Sequence, residues 1–144
     1  MIFWFTGNTG SGKSTIVDAL QNMVDPRPII LDGNKMRKSI SVGAGFSKEE
    51  RAEHNYRVAR LANVLNNQGF TILVSVIAPF EILRDQIEKI CMPNWIYIKR
   101  ISPEDSERPY EPPSNPAFVL DTNAETPEES IAKCLAYIKG IQKH

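Results

Sequence analysis

Along the chain, short apolar runs alternate with longer stretches in which apolar residues recur at helical spacing. Ile2-Phe3-Trp4-Phe5 is apolar without alternation, which predicts a parallel strand covered on both faces, from about Ile2 to Thr6. Ile16, Val17, Ala19, Leu20 and Met23 then predict a first helix from about Lys13 to Met23. It stops before Asp25-Pro26-Arg27-Pro28, where each proline disfavours helical geometry in the preceding residue. Ile29-Ile30-Leu31 is a short second strand that delivers Asp32-Gly33-Asn34 at its carboxyl end. Ser47 and Glu50 form a capping box, with Phe46 as its hydrophobic staple. The long helix they open runs to about Asn67 and ends at Gly69, with Val58, Leu61, Ala62 and Leu65 as the buried stripe. Phe70 to Ile77 is the densest β-branched and aromatic run and is predicted to lie at the sheet centre.

The remaining pattern continues the alternation. A helix is predicted from about Phe80 to Ile90, with Ile82, Leu83, Ile87 and Ile90 facing the core, then a strand at Trp95-Ile96-Tyr97-Ile98. Ser102 to Pro116 holds five prolines and four acidic residues with little to bury, and reads as an exposed loop. Phe118-Val119-Leu120 is a last short strand with Asp121-Thr122 at its end. Thr126-Pro127-Glu128-Glu129 starts the closing helix, which carries Ile131, Cys134, Leu135 and Ile138 on one side. Strands alternating with helices predict an α/β fold with a mostly parallel, five-stranded sheet covered on both faces, in a single domain spanning residues 1–144.

The first strand-to-helix turn carries chemistry. Gly7-Asn8-Thr9-Gly10-Ser11-Gly12-Lys13-Ser14-Thr15 fits G-x-x-x-x-G-K-[ST], between an apolar strand and a helical pattern. Glycines remove Cβ atoms where backbone N–H groups must converge on an anion, so a triphosphate is expected at the positive end of the following helix. This places the chain in the three-layer P-loop class. Lys13 is expected to reach the β- and γ-phosphates and Ser14 to ligate Mg²⁺, with ATP as the nucleotide. Thr15 is placed to pack or to hydrogen-bond the α-phosphate.

Asp32 lies at a strand's carboxyl end, the edge at which open α/β sheets bind ligands. It is a candidate Mg²⁺ ligand or base for an acceptor hydroxyl; alternatively it shapes an Asp-Gly turn or caps the short helix that follows. Arg51, His54 and Asn55 share one helix face and could line a cleft, whereas Arg57 reads as part of a solvated face. His54 is equally readable as a surface histidine.

Composition narrows the partners. Seventeen basic and seventeen acidic residues give zero formal net charge, so no global field draws nucleic acid or an anionic membrane. Cys91 and Cys134 lie far apart, outside any metal-binding spacing, and read as reduced, buried thiols. The amino-terminal apolar run is too short for a signal peptide and nothing approaches a span of ~20 apolar residues, so a cytoplasmic protein is expected.

Beyond the phosphate loop, longer stretches resemble the adenylylsulfate kinases, which transfer the γ-phosphoryl of ATP to the 3′-hydroxyl of adenylyl sulfate in sulfate assimilation. Leu31-Asp32-Gly33-Asn34-Lys35-Met36-Arg37 is similar to the family's Asp-Gly-Asp-Asn-x-x-Arg region, and Gly45-Phe46-Ser47-x-x-x-Arg51-x-Glu53 to its Gly-Phe-Ser-x-x-Asp-Arg-x-Glu-Asn. Arg57-Val58-Ala59, Ile77-Ala78-Pro79-Phe80, Pro109-Tyr110-Glu111-x-Pro113 and Leu120-Asp121-Thr122 extend the resemblance over nearly the whole chain. It implies that Phe46 stacks on the acceptor's purine, that Arg37 and Arg51 hold its phosphosulfate, and that Asp32 lies by Mg²⁺ and the reacting hydroxyl. Asn34, His54, Ile77 and Ala78 fall in the acceptor region by the same correspondence.

The departures are specific. Asn34 stands where the family has a second aspartate, His54 where an acceptor-binding asparagine is expected, and Ala78 where it has a serine. Between Ile98 and Pro109 the family carries a long basic lid, and here only a short, mostly acidic segment connects them, with Arg100 and Arg108 as candidates for a covering arm. Three expectations follow: an adenylylsulfate kinase; a kinase of the same architecture with another nucleotide-linked or polysaccharide-precursor acceptor; or a nucleotide-binding module acting through a partner. A small-molecule, nucleotide-like acceptor is common to the first two. The state of association is open, with a homodimer among the possibilities.

Overall fold

The computed structural model describes residues 1–8, 10–100 and 110–143. Five strands and five helices follow in the order β1 (Ile2–Thr6), α1 (Lys13–Gln21), β2 (Ile29–Asp32), α2 (Gly33–Arg37), α3 (Lys48–Asn66), β3 (Ile72–Ser75), α4 (Glu81–Cys91), β4 (Asn94–Lys99), β5 (Phe118–Asp121) and α5 (Pro127–Gln142). The sheet order is β2-β3-β1-β4-β5, and every pairing is parallel. The carboxyl ends of all five strands therefore share one edge.

The predicted centre is displaced by one strand. Phe70 to Ile77 shortens to Ile72–Ser75, and β3 lies between β2 and β1, while β1 occupies the middle of the sheet. β1 carries the bulkier side chains, and its five residues are all buried, as are the four of β3. Ile2 and Trp4 enter the core beneath α3 and α4, and Phe3 and Phe5 enter the one beneath α1 and α5. Large side chains on both faces require helices on both faces, and each stabilises the fold by roughly 1.5–3 kcal/mol. The chain crosses from β3 over β1 to β4, so the loop after β1 opens where the connections diverge, the usual ligand crevice of such sheets.

Helix faces depart from expectation at three places. On α3 the buried residues are His54, Asn55, Val58, Ala59 and Ala62, with Leu61 and Leu65 only half-buried, because the helix turns its polar first turns toward the strand edge. On α4 Leu83 and Ile87 are buried and Ile90 packs against the core as expected, but Ile82 is 69% exposed and Arg84 is buried. Phe46 is 67% exposed and is no staple for α3. Ser47 caps α3 with its Oγ accepting from Glu50 N at 3.1 Å, while the Glu50 carboxylate turns to Gly45 N and Ser47 Oγ rather than closing the expected box; Thr126 and Glu129 form a complete capping box on α5. Cys91 and Cys134 are free and buried. Among the described residues no helix is long and apolar enough to cross a membrane.

Candidate active site

The loop between β1 and α1 follows from its glycines. A Cβ on Gly7 would lie 2.5 Å from the Ile98 carbonyl oxygen of β4, so only glycine lets the loop leave β1 this close to its neighbour. Gly12 precedes α1 with φ +98, a left-handed conformation that directs the chain into the helix. Ser11 is tied to the end of β5 through Thr122 Oγ1, which donates to its carbonyl at 3.0 Å.

Lys13 folds over this loop. Its ammonium donates to Gly7 O at 2.7 Å, Asn8 O at 2.8 Å and Ser11 Oγ at 3.3 Å, and the residue is 8% exposed. All three N–H groups are satisfied, but by neutral oxygens only. Burial without a counter-charge pushes its pKa down to about 8. An anion entering the loop supplies what is missing. Ser14 and Thr15 are exposed to the cleft, so Thr15 does not pack against the core; Thr9 lies outside the described residues.

The cleft measures about 790 Å³ and runs from this loop to α2 and α3. On its floor Asp32 caps α2: Oδ2 accepts from Lys35 N at 3.1 Å, and Oδ1 has no hydrogen bond among the described residues. The capping alternative is therefore realised, while one carboxylate oxygen remains available. Asn34, exposed, follows on the same wall. No cluster of three or more metal-ligating side chains occurs among the described residues. Ser14 and Asp32 instead offer two hard oxygen donors beside the phosphate loop, a set that fits Mg²⁺ held mainly by phosphate and water.

The far end of the cleft is cationic and aromatic. The Arg37 guanidinium lies 4.4 Å and that of Arg51 5.8 Å from the centroid of the Phe46 ring. Arg37 also donates to Gly45 O at 3.2 Å, and its pKa is lowered by burial and by the like charge of Arg51. Two guanidiniums held against one ring, without an ion pair to a carboxylate among the described residues, make a receptor for an oxyanion next to a flat face.

His54 is no surface residue. It is 3% exposed, its Nδ1 is 2.8 Å from the buried Ser41 Oγ, and it lines the cleft from behind Arg37. Burial and the charges of Arg37 and Arg57 hold its pKa below the ordinary histidine value, with a hydrogen bond to the Gly33 backbone acting oppositely. His54 thus braces α3 against the α2 segment as a neutral ring. Arg57 instead pairs with Glu53 at 3.6 Å on the outer face. Asn55, on the helix face expected to line a cleft, does so; it is 4% exposed and its Oδ1 has no partner among the described residues.

The third wall is Ser75 to Pro79, continuing β3 beyond its pairing. It contains Ile77 and Ala78, and Ala78 holds a left-handed φ of +48, uncommon for a residue with a Cβ. Arg100 reaches the loop from the end of β4, donating to Gly10 O at 3.4 Å. The predicted Arg108 arm lies outside the described residues. Of the sequence-predicted site residues that are described, all line this one cleft except Gly7 and Ser11.

The sequence profile of the adenylylsulphate kinase family matches residues 1–100. A probable adenylyl-sulfate kinase of Aeropyrum pernix is 30% identical over 171 aligned positions, covering 98% of this chain and 93% of that protein. An adenylyl-sulfate kinase of Microcystis aeruginosa is 34% identical over 158 positions, covering 90% of this chain and 86% of its own. In fold, the chain matches the APS kinase of Mycobacterium tuberculosis solved in complex with AMPPNP and APS, with a TM-score of 0.80, 23% identity and 96% of each chain covered. The first alignment is longer than the 144 residues of this chain, so that relative carries positions with no counterpart here.

Proposed function

The chain belongs to the adenylylsulfate kinase family, and from that premise we propose that it transfers the γ-phosphoryl group of ATP to the 3′-hydroxyl of adenylyl sulfate. The carrying observation is the juxtaposition, across one cleft, of an anion-binding loop with a buried, uncompensated lysine and an arginine pair held against an exposed aromatic face. One end suits a triphosphate and the other a nucleotide whose anionic group needs two forks.

In this reading the loop amides and Lys13 hold the β- and γ-phosphates. Arg37 and Arg51 hold the phosphosulfate, Phe46 supplies the stacking face, and Asn34, His54, Ile77 and Ala78 shape the remaining acceptor pocket. The acceptor hydroxyl forms the new oxygen–phosphorus bond while the bond from the γ-phosphorus to ADP breaks. Asp32 Oδ1 orients that hydroxyl and receives its proton. Charge moving onto the leaving oxygen meets Lys13 and the loop amides, which are already in place, so catalysis here is electrostatic and positional. Mg²⁺, held by Ser14 and on the side of Asp32, neutralises phosphate charge when bound.

The short segment between β4 and Tyr110 is the chief departure, since closure normally keeps water from competing with the acceptor. The reading includes a cytoplasmic location and leaves the state of association open, with a homodimer among the possibilities that light scattering separates. Its direct test is ADP release from Mg-ATP with and without adenylyl sulfate, with the product identified as the 3′-phosphorylated acceptor. Acceptor-dependent release supports the proposal; release indifferent to the acceptor refutes it.

A further inference from the structure

Beyond Ser75 the third wall has left the sheet, so its backbone carbonyls need other partners. Each of four in succession has a different one. Val76 O accepts from Trp4 Nε1 at 3.0 Å, Ile77 O from Thr6 Oγ1 at 2.6 Å, Ala78 O from Arg84 Nη1 at 2.7 Å, and Pro79 O from Glu111 N at 2.7 Å. Thr6 immediately precedes the phosphate loop, and Glu111 belongs to the strand-to-strand connection after β4. The wall is therefore hung between both.

Two residues unite these tethers. Thr6 spends its single hydroxyl hydrogen on Ile77 O, so at 2.7 Å Tyr110 must be the donor to Thr6 Oγ1. Tyr110 is stacked on Tyr97, with ring centroids 6.0 Å apart, and lies 5.5 Å beneath the Arg84 guanidinium. Burial pushes its pKa up to about 12, so the donor hydrogen stays in place across the working range. Arg84, 4% exposed, donates from Nη2 to Glu81 Oε2 at 2.7 Å and to the Glu111 carbonyl. Its Nε is buried with no partner among the described residues. Against that one unmet N–H stand two backbone carbonyls and a carboxylate that an apolar side chain would leave unpaired. The same three bonds hold the left-handed Ala78 and its neighbours in one shape.

The geometry points to Arg84 and Tyr110 as positioning residues that fix the Ile77–Pro79 wall of the acceptor pocket, so that they set acceptor affinity and leave the nucleotide end unaffected. This rests on the adenylyl sulfate reading above. The test uses Arg84→Lys, which keeps the charge and loses the fork, and Tyr110→Phe, which keeps the ring and loses the donor. Each is measured for both KM values, kcat and amide hydrogen exchange. Arg84→Lys is expected to raise the KM for adenylyl sulfate about tenfold, as loss of a buried charged hydrogen bond would, with the KM for ATP and kcat little changed. Tyr110→Phe moves the same way by a smaller factor. Exchange should quicken at Ala78, Phe80 and Glu81 and hold steady in residues 10–17. A fall in kcat with both KM values unchanged, an equal rise in both, or unaltered exchange along the wall overturns the assignment. If Arg84→Lys does not fold, Tyr110→Phe carries the test. If the unaltered protein does not use adenylyl sulfate, the functional reading falls, and the exchange contrast alone decides this one.

Discussion

The two ends of the cleft are built in opposite ways. The phosphate end is local: nine consecutive residues, Gly7 to Thr15, supply the turn, the lysine and the helix amides, and the lysine is satisfied by its own loop. The acceptor end is assembled from three separate segments, α2, α3 and the Ser75–Pro79 wall, that meet only because β2 and β3 are neighbours with parallel carboxyl ends. A local device tolerates change elsewhere in the fold. An assembled one depends on braces such as His54 to Ser41 and Arg84 to Ala78. A family can thus keep its phosphate chemistry while its acceptor pocket varies, as Asn34, His54 and Ala78 do here.

The comparison makes graded predictions. The largest effect belongs to Lys13→Ala, which removes the ammonium held by the loop's own oxygens; kcat/KM should fall by about 10³ or more, with ATP binding lost and acceptor binding retained. Arg51→Ala should raise the acceptor KM by about 10–100-fold, the range for a charge-assisted hydrogen bond, and leave the KM for ATP unchanged. A matched rise in both would break the division between the two ends.

A pH titration sharpens the same division. Lys13 titrates near about 8 in the empty site, and a bound triphosphate requires its ammonium form. Below that pH the charge is already present. Above it, ATP binding must take up a proton, so ATP affinity should fall by up to about tenfold per pH unit as pH rises past 8. The cations proposed to meet the acceptor are guanidiniums, so the acceptor KM should remain flat over that interval. A parallel decline would place the titrating group elsewhere. The smallest effect is Thr126→Ala, outside the cleft lining: it removes the α5 cap and should lower stability by about 1 kcal/mol in denaturant titration, with both KM values unchanged.

Legibility followed the same division. The phosphate loop was readable because its motif, strand and helix are contiguous, and the parallel sheet because strands and helices alternate. The residues that line the far end of the cleft were legible from family resemblance more than from pattern. His54 and Asn55 show why: hydropathy assigns polar residues outward, yet the first turns of α3 face the strand edge, where a cleft takes polar groups. Ile82 and Arg84 invert the rule on α4, since Arg84 is wanted by carbonyls that left the sheet, a demand no local pattern carries. Tyr110 sat in a proline-rich stretch that looked wholly exposed, and its hydroxyl finds Thr6 a hundred residues away only in the folded chain. Likewise β3 has the stronger strand composition, but β1, whose bulkier aromatics also fill both cores, takes the middle.

The most direct test of separate ends is equilibrium binding of a non-hydrolysable ATP analogue and of adenylyl sulfate, each titrated into Lys13→Ala and Arg51→Ala. The account predicts a crossed result, with Lys13→Ala losing the ATP analogue but binding adenylyl sulfate, and Arg51→Ala the reverse. Loss of both ligands by either variant, in protein shown to be folded, would contradict it.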